Sequence, residues 1–174
     1  MNSSAEFKVQ VLQVNHRKGW EEIAQLCLQE PSLNTYLFDY LIEGKDILAR
    51  KCAEIIRLVY DKNPEIVIPQ IDRLIETLEK PSHNAIKRCI FRMFQQTSFT
   101  EEQTGKVLNL AFRHLQNREY PIAVRVFAMT TIYGITKKYP EIFSELEVVI
   151  TENLSIESTG FQNRAHKILN KTWK

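Results

Sequence analysis

Four basic residues recur at nearly regular spacing and make up the first candidate binding site. They are Lys51, Arg88, Arg125 and Arg164, separated by 37, 37 and 39 residues. The stretches around them, ILARKCAEII, AIKRCIFRMF, AVRVFAMTTI and QNRAHKILNK, read alike. In a stacked repeat, equivalent positions line up along one surface, where four cations in register would bind an acidic peptide or a phosphate backbone. We call these four residues the basic column.

A structural role explains the same four residues without a ligand. A few positions before each cation, at the turn between predicted helices, stand Asp46, Ser82, Glu119 and Glu157. Three of these turn residues are acids, so cation and turn can pair within or between repeats as a charge ladder. Exposed ion pairs contribute about 0–1 kcal/mol each, so a ladder would fix the register of the repeats more than their stability. The ladder is the simpler interpretation, and ligand binding stays open beside it.

A looser basic cluster gives the alternative of nucleic-acid binding. Its members are Lys87, Arg92, Arg113 and Arg118, with Arg88 and His114 nearby and Phe91, Phe94 and Phe112 between them. Stacked aromatic rings bind single-stranded bases, but aromatic residues at helical spacing are more typical of a core. No glycine-rich phosphate loop accompanies the cluster, so a protein or peptide is the preferred partner.

Residues for catalysis or metal binding do not form a pattern. The sequence contains no HExxH, GxSxG, GxGxxG or phosphate-loop motif. His16, His83, His114 and His166 lack metal-ligand spacing, and we expect them at the surface or at helix caps. Cys52 and Cys89 share one repeat position, which indicates core packing. We therefore predict no catalytic residues, no metal and no cofactor, and an enzyme is the less favoured alternative.

Bulk composition is that of an ordinary globular protein of 174 residues. Its 23 basic and 21 acidic residues give a net charge of +2, which does not by itself predict a nucleic-acid or membrane partner. The three cysteines have no CxxC pairing, and no stretch has the length of a membrane span. Because MNSSAEFKVQ also lacks the apolar core of a signal peptide, a cytoplasmic protein is expected.

Helical periodicity dominates the chain, and its breaks fall where helices should end. We predict helices over about 4–14, 17–29 and 32–43, then from Asp46 to about Asp61 and from His83 to about Gln96. In the first segment Phe7, Val9 and Val11 also alternate as in a strand, and a helix is the favoured interpretation. Other helices start after Thr100, Pro121 and Pro140, and a last one runs from near Ser158 to the C-terminus. Pro64 opens a further helix, in which Pro69 must produce a kink or mark the true start.

A second periodicity supports a repeat architecture. KNPEIV at 62–67 is echoed by KYPEIF at 138–143, an offset of 76 residues or two units of 38. Helix pairs of this length bury their apolar faces only against neighbouring pairs. The sequence therefore predicts an all-α, right-handed α–α superhelix of the HEAT or armadillo type. It has about four helix pairs and an N-terminal cap in a single domain, residues 1–174.

Two stretches carry a family resemblance. VNHRKGWEEIAQLCLQEPSLNTYLFDYL, and AMTTIYGITKKYPEIFSELEVVI followed by GFQNRAHKILNK, resemble small bacterial HEAT-like repeat proteins of unknown function, chiefly from Bacteroidetes. Members are often labelled adenylosuccinate lyase, so the resemblance leaves that activity as an alternative. True lyases resemble one another around a mobile SSxMPxKxN loop with a catalytic serine. Nothing similar occurs here, and Ser3-Ser4 does not replace it, so the resemblance implies the fold and no lyase site.

A more remote resemblance is to the HEAT-like alkylpurine DNA glycosylases, which hold DNA in a basic concave groove. That resemblance implies nucleic-acid binding as the alternative function. The repeat fold itself favours a non-enzymatic interaction module that binds a protein or peptide on its concave face, with the basic column as the candidate site.

Overall fold

The computed structural model describes residues 4–43 and 47–173, and these ranges contain helices and no strands. The prediction of an all-α protein is therefore confirmed for the described chain. The α-helices in order are α1 (Ser4–Gln13), α2 (Arg17–Gln29), α3 (Leu33–Glu43), α4 (Ile47–Lys62), α5 (Ile71–Glu79), α6 (Asn84–Phe94), α7 (Glu101–Gln116), α8 (Ile122–Thr136), α9 (Ile142–Leu154) and α10 (Thr159–Leu169).

Side chains at the helix starts explain several of these boundaries. Thr100 and Gln103 form a reciprocal capping box at α7, with Oγ1 of Thr100 accepting from the Gln103 N–H at 3.2 Å. His16 caps α2 by accepting from the N–H of Gly19 at 3.1 Å. Ser158 caps α10 in the same way. These caps satisfy N–H groups that have no partner inside their helices, so each helix begins where the sequence predicts.

The two prolines before α5 have different effects. Pro64 opens a 3₁₀ turn, Pro64–Ile66, and Pro69 lies in a second one, Ile68–Gln70. The α-helix begins only at Ile71. Because an interior proline removes a hydrogen bond and contacts the preceding turn, α5 starts after Pro69 instead of passing through it. Of the two predicted effects, Pro69 therefore marks the true start of the helix.

Two compact units divide the chain, unit 1 from Met1 to Met93 and unit 2 from Phe94 to Lys174. In unit 1, helices α1, α2 and α3 all pack on α4, and α3 also contacts α5. Helix α4 is buried on most sides, with Ile55, Ile56 and Val59 at or near zero exposure. Because three other helices of the unit pack on it, α4 is the centre of unit 1.

Helix α8 has the corresponding place in unit 2. It packs on α7, α9 and α10, and α9 and α10 also contact each other. Its residues Ala128, Met129 and Ile132 are fully buried. Unit 2 is therefore organised around α8, so side chains from α7, from α10 and from the segments next to them converge on it.

Some predictions differ from the structure or fall outside it. The last helix ends at Leu169 and does not reach the C-terminus, because Lys171 adopts a left-handed φ of 54° and ends the helical path. The predicted cap Asp46 lies outside the described residues. The single domain over residues 1–174 stays a prediction. No helix in the described chain has the length and apolar character needed to cross a membrane.

Candidate binding site

Lys51, the first residue of the basic column, lies on α4 inside unit 1. It is only 7% exposed. Its Nζ donates to the carbonyl of Leu12 and, at 2.9 Å, to Oδ1 of Asn15. The ammonium group thus holds the end of α1 against α4, and these contacts favour a structural role for Lys51 over one in ligand binding.

Arg88, on α6, belongs to a charged network in the same unit. Its Nη2 pairs with Oε1 of Glu54, whose other oxygen accepts from Nε of Arg57 at 3.1 Å. Burial opposes ionisation of Glu54, but hydrogen bonds from Arg57 and Cys89 and the charges of Arg57 and Arg88 outweigh that effect. The pKa of Glu54 is therefore held below its ordinary value. The Arg88 side chain stays 44% exposed, so its outer face remains available to solvent.

Arg125, on α8, forms the ion pair that the ladder interpretation predicts. Its Nη2 lies 2.6 Å from Oε1 of Glu157, the turn residue before α10. The side chains are 4% and 7% exposed, and Nε of Arg125 also donates to the carbonyl of Leu115 at 2.9 Å. Arg118 approaches the same carboxylate at 3.8 Å. This pair links α8 to the start of α10 and leaves Arg125 no exposed face.

Arg164, on α10, has a different environment from the other column arginines. Its Nη1 donates to the hydroxyl of Thr130 at 2.6 Å, and its guanidinium carbon lies 3.6 Å from the ring centroid of Trp173. Within residues 4–43 and 47–173, it forms no ion pair with a carboxylate. Burial lowers the pKa of Arg164. Its charge is thus held by a hydroxyl and an aromatic face.

All four column residues bind a partner about one repeat away. The separations are 36 residues for Lys51 and Asn15, 34 for Arg88 and Glu54, 32 for Arg125 and Glu157, and 34 for Arg164 and Thr130. This regularity favours the charge-ladder interpretation, although one partner is an amide and another a hydroxyl. Of the three predicted turn partners within the described residues, Glu157 takes part in these bonds, whereas Ser82 donates to the Thr77 carbonyl and Glu119 is exposed. Ligand binding by the column stays a prediction.

The predicted nucleic-acid cluster contains both exposed and buried residues. Arg92 and Arg113 are exposed, but Lys87 is only 4% exposed and its Nζ lies 3.5 Å from the Lys80 carbonyl. Arg118 donates to Oδ1 of Asn153 at 3.0 Å in addition to its approach to Glu157. His114, expected at the surface or at a cap, is fully buried, and that prediction is wrong. Its ring stacks on Tyr120 and Nδ1 meets the Leu110 carbonyl at 2.7 Å.

The cysteines have the environment expected of packing residues. Cys27, Cys52 and Cys89 are all buried. Burial raises the pKa of the thiols of Cys27 and Cys89 to about 12 in each case, with a smaller contribution from Glu30 and Glu54, respectively. A thiol with so high a pKa is protonated at neutral pH and is a poor nucleophile. Over the described residues, no group of His, Cys, Asp and Glu side chains is arranged to hold a metal ion.

Unit 2 contains a cleft that the sequence motifs do not reveal. We call it the α8 cleft, and its volume is about 720 Å³. Three segments form it: the connection from α6 to α7, the C-terminal half of α8 with the residues just after it, and the tail beyond α10. Its lining residues are Phe94, Gln95, Gln96, Thr97, Ser98, Phe99, Thr104, Thr130, Tyr133, Gly134, Ile135, Lys137, Lys138, Tyr139 and Trp173.

Gly134 allows one wall of this cleft to form. A Cβ atom placed on Gly134 would lie 3.0 Å from the carbonyl oxygen of Gln95, which is too close for a comfortable contact. The glycine inside α8 therefore permits close approach of the backbone after α6. The approaching segment is the connection from α6 to α7 and not a neighbouring helix.

Two polar groups in the cleft wall have no hydrogen-bond partner among the residues that the structure describes. They are Nε2 of Gln95 and the hydroxyl of Tyr139, both withdrawn from solvent. A buried polar group without a partner costs about 1–3 kcal/mol. The cleft thus combines aromatic walls, exposed Lys137 and Lys138 at its edge, and unused hydrogen-bonding capacity. This is a combination that binds small polar ligands or peptide segments.

The prediction that the chain is similar to HEAT-like repeat proteins is confirmed by comparison with protein families. The family model described as a HEAT repeat domain matches residues 7–172. Comparison with curated proteins and with solved structures found no match. The matched range covers nearly the whole chain and includes all ten described α-helices in whole or in part. The chain therefore belongs to the HEAT repeat family.

Proposed function

We propose that this HEAT repeat protein is a non-enzymatic interaction module that binds a segment of another protein. The observation that carries the proposal is the match to a HEAT repeat domain over residues 7–172, because HEAT repeats generally mediate protein interactions. The α8 cleft supports it, since its volume of about 720 Å³ lies in the range of pockets that enclose small ligands or a few residues of a peptide. Binding on a concave face of the repeat stays a prediction.

Site-specific cross-linking in the native cell tests this function. A photoreactive amino acid is introduced at exposed positions of both units, one per variant, for example at Lys137 beside the cleft and at Arg113 on α7. Cells are irradiated, the lysate is treated with nuclease, and adducts are identified by mass spectrometry. We expect one protein to be captured repeatedly from neighbouring positions and not from distant ones.

Two outcomes would contradict the proposal. Absence of a position-dependent protein adduct from every exposed position of both units would remove the interaction function. Adducts that disappear on nuclease treatment would show that nucleic acid bridges the contact, and would favour the alternative based on Lys87, Arg92, Arg113 and Arg118. The unmodified chain, irradiated in parallel, is the control for non-specific capture.

A further inference from the structure

A cation without a carboxylate partner among the described residues lies behind the wall of the α8 cleft: Arg164 does not itself line the cleft and is covered by the Trp173 ring. Arg88 and Arg125 each pair with a carboxylate, whereas in the described chain Arg164 contacts the Thr130 hydroxyl and the Trp173 ring. Both of these partners line the cleft. The Arg164 side chain is half-buried, so the partial loss of hydration of its charge is not offset by an ion pair with a described carboxylate. An anion is the group that would complement this charge.

We propose that the α8 cleft binds an acidic peptide segment, with a carboxylate directed to Arg164 and an adjacent aromatic side chain packed against Trp173, Phe99 and Tyr133. This inference rests on the proposed function and specifies its partner and its site. The Arg164 guanidinium has five N–H donors, of which one is used by Thr130, so others are available for a carboxylate after a small movement of the Trp173 ring.

Charge around the cleft agrees with an acidic ligand. Lys137 and Lys138 follow the end of α8, are exposed and line the cleft. No aspartate or glutamate is among the described residues that line it. A cleft bordered by cations and free of acids raises the local concentration of anions and speeds their association. The charge of the rim therefore selects acidic segments before contact is made.

Backbone groups at the cleft favour a peptide over a nucleotide. Helices α6 and α8 both end at it, since Phe94 and Ile135 are lining residues. Helix C-termini carry a partial negative charge, and here the carbonyls of Phe94, Gly134 and Ile135 already accept backbone N–H groups of the residues that follow each helix. This charge opposes the double charge of a phosphate, which is usually bound at helix N-termini, more strongly than the single charge of a carboxylate. Rotation of Gln95 and Tyr139 would provide further bonds to peptide C=O groups.

Fluorescence of Trp173 provides a direct test. The chain has two tryptophans, so Trp20→Phe leaves Trp173 as the sole reporter. This variant is titrated with blocked tetrapeptides, Ac-Ala-Glu-Phe-Ala-NH2 and Ac-Ala-Phe-Glu-Ala-NH2, and with their glutamine counterparts. We expect saturable changes with at least one glutamate peptide and binding weaker by about tenfold with the matching glutamine peptide. Adenosine monophosphate is titrated as the nucleotide for comparison, and it should bind more weakly than the glutamate peptide that binds.

Substitutions at the site separate charge recognition from folding. Arg164→Gln should lower the affinity for the glutamate peptide by about tenfold and leave the affinity for the glutamine peptide unchanged. Arg17→Gln removes the same charge from an exposed position of α2 that belongs to no candidate site, and it should not change peptide binding. Circular dichroism establishes that each variant is folded. If Arg164→Gln does not fold, Lys138→Gln at the exposed rim takes its place, with a smaller loss of affinity expected for the glutamate peptide alone.

Several results would overturn the inference. Equal affinity for glutamate and glutamine peptides, tighter binding of adenosine monophosphate, or no response to any peptide at millimolar concentration would each do so. The experiments distinguish a failure of the acidic-peptide site from a failure of the proposed interaction function. Cross-links to one protein from positions far from the α8 cleft would leave the interaction function in place and exclude this site. Absence of cross-links from all positions would remove the function itself.

Discussion

Arg125 and Glu157 form an ion pair that is almost completely withdrawn from water. Breaking such a pair by removing one partner leaves a buried charge, which typically costs about 3–5 kcal/mol. We therefore expect Arg125→Met to lower the free energy of unfolding by about that amount, reduced somewhat because Arg118 lies 3.8 Å from the same carboxylate. Urea denaturation measures the change.

Two further variants control this experiment. The double variant Arg125→Met with Glu157→Leu should recover a large part of the loss, because it removes the orphaned charge. Arg88→Met is the comparison variant, because the Arg88 side chain is 44% exposed and Arg57 still binds Glu54 when Arg88 is removed, so it should cost only about 0–1 kcal/mol. A loss as large for Arg88→Met as for Arg125→Met would contradict the assigned difference in burial.

Glu54 makes stability depend on pH in a defined direction. Its pKa in the folded protein lies below the ordinary value of 4.5, so ionised Glu54 stabilises the fold above that value. As the pH falls below 4.5, Glu54 is protonated first in the unfolded state, so the unfolded state gains stability relative to the folded one. The contribution of ionised Glu54 to the free energy of unfolding is lost completely once the pH is below its lowered pKa in the folded protein. We expect Glu54→Gln to reduce the fall in unfolding free energy between neutral pH and about pH 3.

Glu102→Gln is the control for this pH effect. Glu102 pairs with Lys106 at 2.7 Å but is 79% exposed, so its contribution is screened by solvent. Denaturation at a series of pH values should give nearly the same curve for Glu102→Gln as for the unaltered protein. Identical pH profiles for Glu54→Gln and the unaltered chain would show that the network around Arg57 and Arg88 does not hold the carboxylate.

At the scale of the element, replacing either of two glycines on adjacent helices by alanine should change stability in opposite directions. Gly134→Ala in α8 places a Cβ 3.0 Å from the Gln95 carbonyl, and such overpacking costs about 1–3 kcal/mol. The higher helix propensity of alanine offsets about 1 kcal/mol of this cost, so the free energy of unfolding should fall by up to about 2 kcal/mol.

Gly105→Ala in α7 adds a Cβ that meets no atom within 4 Å, and it should raise the free energy of unfolding by about 0.5–1 kcal/mol. Thermal unfolding of both variants tests the pair, and stabilisation by Gly134→Ala would refute the close approach.

Helix boundaries were predictable because their signals are local. Thr100 with Gln103, and Pro69 before Ile71, act on the backbone within a few residues, so sequence spacing alone places these starts. The end of α10 was not predictable in the same way. Lys171 adopts a left-handed backbone conformation, which is more usual for glycine, so its residue type does not indicate the end of the helix. Its ammonium group lies 5.1 Å from the Phe143 ring, a contact that forms only when α9 is folded.

At the scale of the molecule, periodicity predicted the family but not the partners of the charged residues. Equivalent positions share a spacing, yet Glu54, Glu157 and Thr130 bind their arginines through geometry that differs from repeat to repeat. The α8 cleft could not be predicted from the sequence either, because its lining residues Gln95 and Trp173 are 78 residues apart and belong to no common motif. His114 shows the same limit, since its burial depends on Tyr120 and on the packing of α7.

The bonds of the basic column also bear on how rapidly the chain folds. Each closes a loop of 32 to 36 residues, so ordering these contacts requires only short-range chain closure. Helical proteins in which most contacts lie within helices or between neighbouring repeats have low contact order and refold in microseconds to milliseconds. After a brief unfolding pulse that avoids proline isomerisation, stopped-flow dilution should show most of the helical signal regained within milliseconds. A dominant phase lasting seconds would mean that contacts distant in sequence limit the folding of this repeat protein.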